Sequence, residues 1–108
     1  MSSLGEFEKL VMLAVLHLGR EAYGATVIQE LEKRTNRTVS AGAVYVALRR
    51  LEKKEMVSSK LGKPSPQRGG RPKRFFSVNS EGVEALRHAQ ADWTAMVSGL
   101  EEILEHSK

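Results

Sequence analysis

The hydrophobic period changes partway along this chain, and that change limits the folds open to it. From Leu4 to Leu18 the apolar residues Phe7, Leu10, Val11, Ala14, Val15 and Leu18 recur every three or four positions, which predicts an amphipathic helix stopped by Gly19. A second helix is predicted from Tyr23-Gly24 to Thr35, with a narrower stripe of Val27, Ile28 and Leu31. After the short extended link Thr38-Val39, Ser40 is placed to cap a third helix, in which Val44, Leu48 and Leu51 share one side. Beyond it the period falls to two. Met56 to Leu61 alternates as a half-buried strand does, and Phe75 to Val78 can pair with it antiparallel. Twelve of the residues between them, Gly62 to Lys73, hold all three prolines and three of the nine glycines, so they read as a long hairpin loop. Connections of that length are usually functional or disordered. Asn79-Ser80-Glu81 then opens a last helix, with its acidic residue in the favourable first turn.

Three helices, a two-stranded hairpin and a long helix make a mainly α chain with a small β-hairpin, of the α+β class. That order of elements is the order of a winged helix-turn-helix followed by a C-terminal dimerisation helix. Residues 1–79 are expected to form the winged head and residues 80–108 the dimerisation helix. In such a head the third helix enters the major groove of DNA, and the hairpin reaches the flanking backbone or the minor groove.

Charge is distributed to match. Residues 1–48 carry five Lys/Arg against five Asp/Glu, residues 49–80 carry ten against two, and residues 81–108 carry two against six. The middle third, at +8, is costly to crowd together without a polyanion or solvent around it, which points to a partner for that segment; with a winged head the expected partner is double-stranded DNA. With no cysteine, the chain has neither disulfides nor thiolate metal sites, which suits a cytoplasmic location. The apolar run from Leu10 to Leu18 follows Glu6 and Glu8 rather than a basic segment and is too short to span a bilayer, so no membrane association is expected. His17, His88 and His106 have no partners at metal-ligand or acid–base spacing, and Gly62-Lys63 lacks the earlier glycine of a phosphate loop. No catalytic residue, metal or cofactor is expected, and the chain does not read as an enzyme.

The candidate DNA-binding residues fall in two places. On the third helix, Ser40, Ala41 and Ala43 are small enough to let the backbone approach a duplex; the Tyr45 hydroxyl can bond a phosphate, and Arg49 can reach a phosphate or a guanine edge. The competing readings are a half-buried ring at the core rim for Tyr45, a solvated face for Arg49, and an internal ion pair for Arg50. In the hairpin loop, Arg68, Arg71 and Lys73 surround Gly69-Gly70 and Pro72. Gly70-Arg71-Pro72 is similar to the core of an AT-hook, which lies in the narrow groove of A/T-rich DNA. The competing reading there is a solvated hairpin tip.

In the last helix, Val83, Leu86, Gln90, Trp93, Val97, Leu100 and Leu104 form a seam spaced by threes and fours. A single helix from Ser80 to Ser107 would be about 40 Å long, more than a small head can cover, so the seam predicts a homodimer built on this helix and the first helix of a second copy. Trp93 and Met96 together could line a pocket for a small hydrophobic effector, although such residues more often serve packing.

The chain resembles the PadR family of transcriptional regulators, in its short form with one C-terminal helix. Tyr23-Gly24, SAGAVYVALRRLEKKEMV from Ser40 to Val57, and GGRPKRFFSVNSEGVEAL from Gly69 to Leu86 carry the likeness, with Gly42, Tyr45, Leu48, Arg50, Leu51 and Glu52 in register. The resemblance implies a DNA-binding regulator, most often a repressor, and some relatives of this kind sense small molecules near the dimer seam. Three positions depart from the pattern. Ala43 replaces a frequent Thr, Val46 a frequent Pro, and Glu55 the usual Gly that ends the helix, which predicts a differently built helix exit. The alternative is a winged-helix protein-interaction module without DNA binding, and the +8 segment argues against it.

Overall fold

A computed structural model describes residues 4–64 and 69–105. Helix α1 (Glu6–Leu18) starts after Gly5, whose N–H donates to the Glu8 carboxylate at 2.9 Å, and it stops at Gly19 with φ 58°. Leu4, expected inside the helix, precedes it and packs against the core edge. A 3₁₀ turn (Gly19–Glu21) leads into α2 (Gly24–Thr35), which ends where Asn36 takes the left-handed region at φ 55°. Helix α3 (Ala41–Lys53) is capped as its sequence predicts, with Ser40 Oγ accepting the Ala43 N–H at 3.2 Å. Val11, Met12 and Val15 of α1, Val27 of α2, and Val44, Leu48 and Leu51 of α3 are fully buried against one another. Each such side chain contributes about 1.5–3 kcal/mol of apolar burial, so the apolar stripes, not helix propensity, hold the trio together.

The exit from α3 corrects one expectation. The chain makes the left-handed turn anyway, with Glu55 at φ 63°, and the Met56 N–H closes back on the Leu51 carbonyl at 3.0 Å. The strain of a non-glycine residue there, about 1–2 kcal/mol, is offset by a bond from a distant residue. Asn79 Nδ2 donates to the Glu55 carbonyl at 3.0 Å, and Asn79 Oδ1 accepts from Ser58 Oγ at 2.7 Å. The side chain of Asn79 thus ties the α3 exit to the next helix start rather than capping that helix itself.

Strands β1 (Val57–Leu61) and β2 (Arg74–Val78) pair antiparallel, with Val57 opposite Val78 and Leu61 opposite Arg74. Val57 and Phe76 point into the core while Ser58 and Ser77 face solvent, which is the period-two alternation read above. The other edge of β2 is covered as well. The Phe76 N–H donates to the Ala22 carbonyl at 2.8 Å, and Tyr23 forms a bridge with Phe75, so the hairpin is fixed to the start of α2.

Helix α4 (Ser80–Val97) docks through its first turns. Gly82 is buried, and a Cβ there would sit 2.5 Å from the Met56 carbonyl oxygen, so only glycine allows this approach. The single helix expected from Ser80 to Ser107 is not formed. The chain breaks at Ser98-Gly99, where Gly99 has φ 89° and its N–H donates to the Glu101 carboxylate at 2.9 Å, and a short α5 (Glu101–Glu105) follows; Ser107 lies outside the described residues. Helix α4 is therefore about 27 Å long, and Leu100 and Leu104 belong to a separate segment from Val83, Leu86, Trp93 and Val97. The architecture is a winged helix-turn-helix with a C-terminal helix.

Candidate nucleic-acid interface

Burial of Val44, Ala47, Leu48 and Leu51 sets the orientation of α3. The residues diametrically opposite are Gly42, Val46, Arg49 and Lys53, at offsets of four, seven and eleven, and all four are exposed. They form the outward crest of the helix. Tyr45 lies beside the crest toward α2 and the hairpin, and Ala41 shares its stripe by four-residue spacing. Ala43 and Arg50 lie on the other flank, along a groove whose far wall is Gly5 to Glu8. Ser40 is exposed, with its hydroxyl engaged in the cap. Gly42 and Val46 stand out in the sequence only through the family pattern, which Gly42 matches and Val46 departs from; Lys53 carries no signal beyond its offset from the buried stripe.

Tyr45 keeps 48% of its surface exposed, yet the hydroxyl end of its ring packs against α2, for a Cβ on Gly24 would be 2.2 Å from the Tyr45 hydroxyl oxygen. Tyr23, one residue earlier, holds the hairpin. Its ring meets Phe75 edge-on at 5.4 Å between centroids, and Lys73 Nζ stands 3.8 Å above its centre. Tyr23-Gly24 therefore seats the α3 tyrosine and the base of the wing together. A cleft of roughly 560 Å³ opens between them, lined by Tyr45, Arg49 and Glu52 of α3, Tyr23 and Gly24 of α2, and Pro72, Lys73 and Arg74 of the wing. Arg74 Nη1 donates to Ser59 Oγ at 2.9 Å, and Ser59 in turn donates to the Glu52 carboxylate, which fixes the wing stem against α3.

Of the wing residues, Gly69 and Gly70 turn the chain at φ 63° and 81°, and Arg71 and Pro72 are exposed beyond them. Arg68 lies outside the described residues. The structure thus brings Tyr45, Arg49 and Lys73 to one cleft, places Arg71 on the adjacent wing, and sets Ala43 on the opposite flank of α3.

Among the described residues of this head one charge is buried. Glu8, 7% exposed, accepts from Lys54 Nζ at 2.8 Å as well as from the Gly5 N–H. Burial alone pushes its carboxyl up, but the Lys54 ammonium, the Gly5 N–H and the Arg50 charge outweigh it and hold the carboxyl below its ordinary value. The pair clamps the first turn of α1 to the end of α3, behind the crest. Among the described residues no group of His, Asp or Glu is arranged to hold a metal ion, and no helix is long and apolar enough to cross a membrane.

Away from the cleft, α1 and α4 enclose an open groove of roughly 390 Å³ lined by Leu10, Leu13, Leu16, Val83, Leu86 and Trp93. Met96 does not line it. Trp93 is 67% exposed and Met96 76% exposed, so within one chain neither is enclosed. Leu100 and Leu104 are exposed on the segment around α5.

The model of the transcriptional regulator PadR-like family matches residues 12–88, from the middle of α1 through the docked part of α4. The chain belongs to that family. A PadR-like transcription factor from Bacteroides fragilis has the same fold, with a TM-score of 0.73 at 27% identity over 90% of this chain and 88% of that one. A PadR family transcriptional regulator from Eggerthella lenta is 28% identical over 94% of this chain and 88% of its own, with a TM-score of 0.69. An uncharacterized protein of Lysinibacillus sphaericus is 24% identical over 103 residues, covering 94% of this chain and 90% of that protein. The PadR-like family is one of DNA-binding transcriptional regulators, not enzymes.

Proposed function

We propose that this PadR-like regulator is a repressor that binds operator DNA as a homodimer, with α3 in the major groove and the wing on the adjacent backbone. The observation that carries the reading is the shared cleft, where Arg49 of α3 meets Lys73 and Arg74 of the wing on one outward face. A duplex lying along the α3 crest meets Arg49 and Lys53 first, the Tyr45 hydroxyl at the α2 flank, and Arg71 on the wing; Ser40, Ala41 and Ala43 keep the N-terminal end of α3 low. Arg68 completes the wing in this reading. Lys73, over the Tyr23 ring, sets the wing's angle from its base.

In the same reading residues 1–79 are the DNA-binding head and residues 80–108 the dimerisation segment. The exposed apolar residues Leu13 and Leu16 of α1 and Trp93 of α4 need a cover, and a second copy related by a two-fold axis supplies one with the same chemistry. Half-sites then lie one or more helical turns apart. A small hydrophobic effector, if one acts, enters beside Trp93 at that seam. A DNA partner implies the cytoplasm as compartment.

The test is titration of labelled duplexes, its own promoter region first, across a salt series. A dimer neutralising roughly six to ten phosphates loses about 10³–10⁵ in affinity between 50 and 200 mM salt. Binding without salt dependence, or sedimentation as a monomer at micromolar concentration, would contradict the reading. Repression is tested separately with a promoter–reporter fusion, in which activation by the protein would reverse that part.

A further inference from the structure

The crest of α3 contains two uncharged residues open to solvent. Gly42 is one. A Cβ there would meet only the Ser40 hydroxyl, at 3.6 Å, and its backbone is ordinary helix with no positive φ. Neither packing nor conformation calls for glycine at this point, and glycine inside a helix is less stable than alanine. Val46, one turn later on the same line, is the other. It stands at the rim of the groove between the start of α1 and α3, leaves 49% of its surface in water, lacks any group that could bind phosphate, and neighbours Arg49 and Lys53.

A glycine that the fold does not need marks the close approach of something outside the fold. An apolar branched side chain one turn away, on the face turned to a polyanion, is best matched there by an apolar group on that polyanion. In the major groove one base edge carries such a group, the 5-methyl of thymine.

We propose that Val46 is a specificity-determining residue that packs on a thymine 5-methyl in each half-site, across a close helix–DNA approach that Gly42 permits. The inference rests on the reading of α3 as the major-groove helix. It adds a base identity that the charged residues cannot supply, because Arg49 and Lys53 act on phosphates or guanine edges and Tyr45 is seated on Gly24 at the flank.

The experiment begins with selection of bound duplexes from a random-sequence library by the full chain. Each thymine in the selected half-site is then replaced singly by deoxyuridine, which removes the methyl and leaves the base pair intact. Wild-type protein is expected to lose about fourfold in affinity at one or two positions, the worth of one buried methyl. Val46→Ala is expected to bind more weakly and to show no loss at those same positions. Gly42→Ala is expected to move two readouts in opposite directions, raising the thermal midpoint of the free protein while weakening its DNA binding.

If deoxyuridine has no effect at any position, or the same effect in Val46→Ala as in wild type, the methyl contact is overturned. If Gly42→Ala binds as well as wild type, the close approach is overturned. Failure of the wild-type chain to enrich any sequence would overturn the DNA reading itself and this inference with it, and is distinguishable because it appears at the selection step.

Discussion

The head and the C-terminal third of this chain are built on opposite terms. In the head, the apolar stripe of each helix is covered by another element, the outer edge of β2 is paired with Ala22-Tyr23, and the buried carboxylate of Glu8 has both an ammonium and an N–H. From Ala91 to Glu105 the chain is exposed nearly throughout, and Trp93, Met96, Ile103 and Leu104 stand in solvent. The head covers its core stripes from within and leaves Leu13 and Leu16 of α1 open at its edge; the C-terminal segment leaves most of its apolar side chains in water. Stability and association should therefore be separable by mutation.

The largest effect is expected in the head. Leu51→Ala empties a position with no exposed surface and is expected to lower unfolding free energy by about 2–5 kcal/mol. Leu104→Ala, the same chemical change on the exposed segment, is expected to stay within about 0.5 kcal/mol at concentrations where the chain is monomeric. Urea titrations of both variants at low protein concentration make the comparison, and similar losses for the two would erase the distinction between the regions.

Trp93→Ala inverts the contrast. Its effect on unfolding of the monomer is expected to be small, while dimer dissociation, followed by analytical ultracentrifugation, shifts by about 2 kcal/mol or roughly 30-fold. An unchanged dissociation constant would remove Trp93 from the interface and leave Leu13 and Leu16 as the surface in need of cover.

The parts of this division that were legible in the sequence are those where one physical cause acts on neighbours. The α1 and α3 stripes, the Ser40 cap and the alternation around Val57 and Phe76 each follow from a local period. Contributions from distant residues leave no such period. Nothing near Glu55 signals that Asn79, 24 positions away, will bond its carbonyl and support a left-handed turn without glycine. The Ala22-Tyr23 edge is too short to alternate, and Gly24 finds its reason only in the ring of Tyr45. At the far end a local signal, Ser98-Gly99, was present but opposed by a longer one, the apolar seam, and the positive φ of Gly99 decided against a continuous helix.

A smaller effect sharpens the account of the buried Glu8 carboxylate. Glu8→Gln is expected to cost about 1 kcal/mol at neutral pH, the charge assistance in its bond to Lys54. The folded carboxyl lies below its ordinary value of 4.5, so in that window the unfolded chain binds more protons. The contribution is complete above 4.5 and is lost as pH falls through the folded value. The gap between wild type and Glu8→Gln in chemical denaturation is thus expected to close on acidification, and a constant gap would show that the charge is not what holds α1 to α3.

The smallest effect addresses the joint between the fold and the DNA. Lys73 sits in the basic segment, where its charge suggests a phosphate contact, but its ammonium is over the Tyr23 ring. The two roles give different signatures. Loss of a phosphate contact reduces the salt slope of binding by about one; loss of a cation–π clamp costs about 0.5–1 kcal/mol of stability and weakens binding alike at every salt concentration. Lys73→Met, which keeps the stem and removes the charge, is expected to follow the second pattern, and Tyr23→Leu to reproduce it because it removes the other half of the same contact. A lowered slope in Lys73→Met with an unchanged slope in Tyr23→Leu would assign the ammonium to DNA, and the wing would then owe its angle to the Tyr23–Phe75 contact and the Phe76–Ala22 hydrogen bond alone.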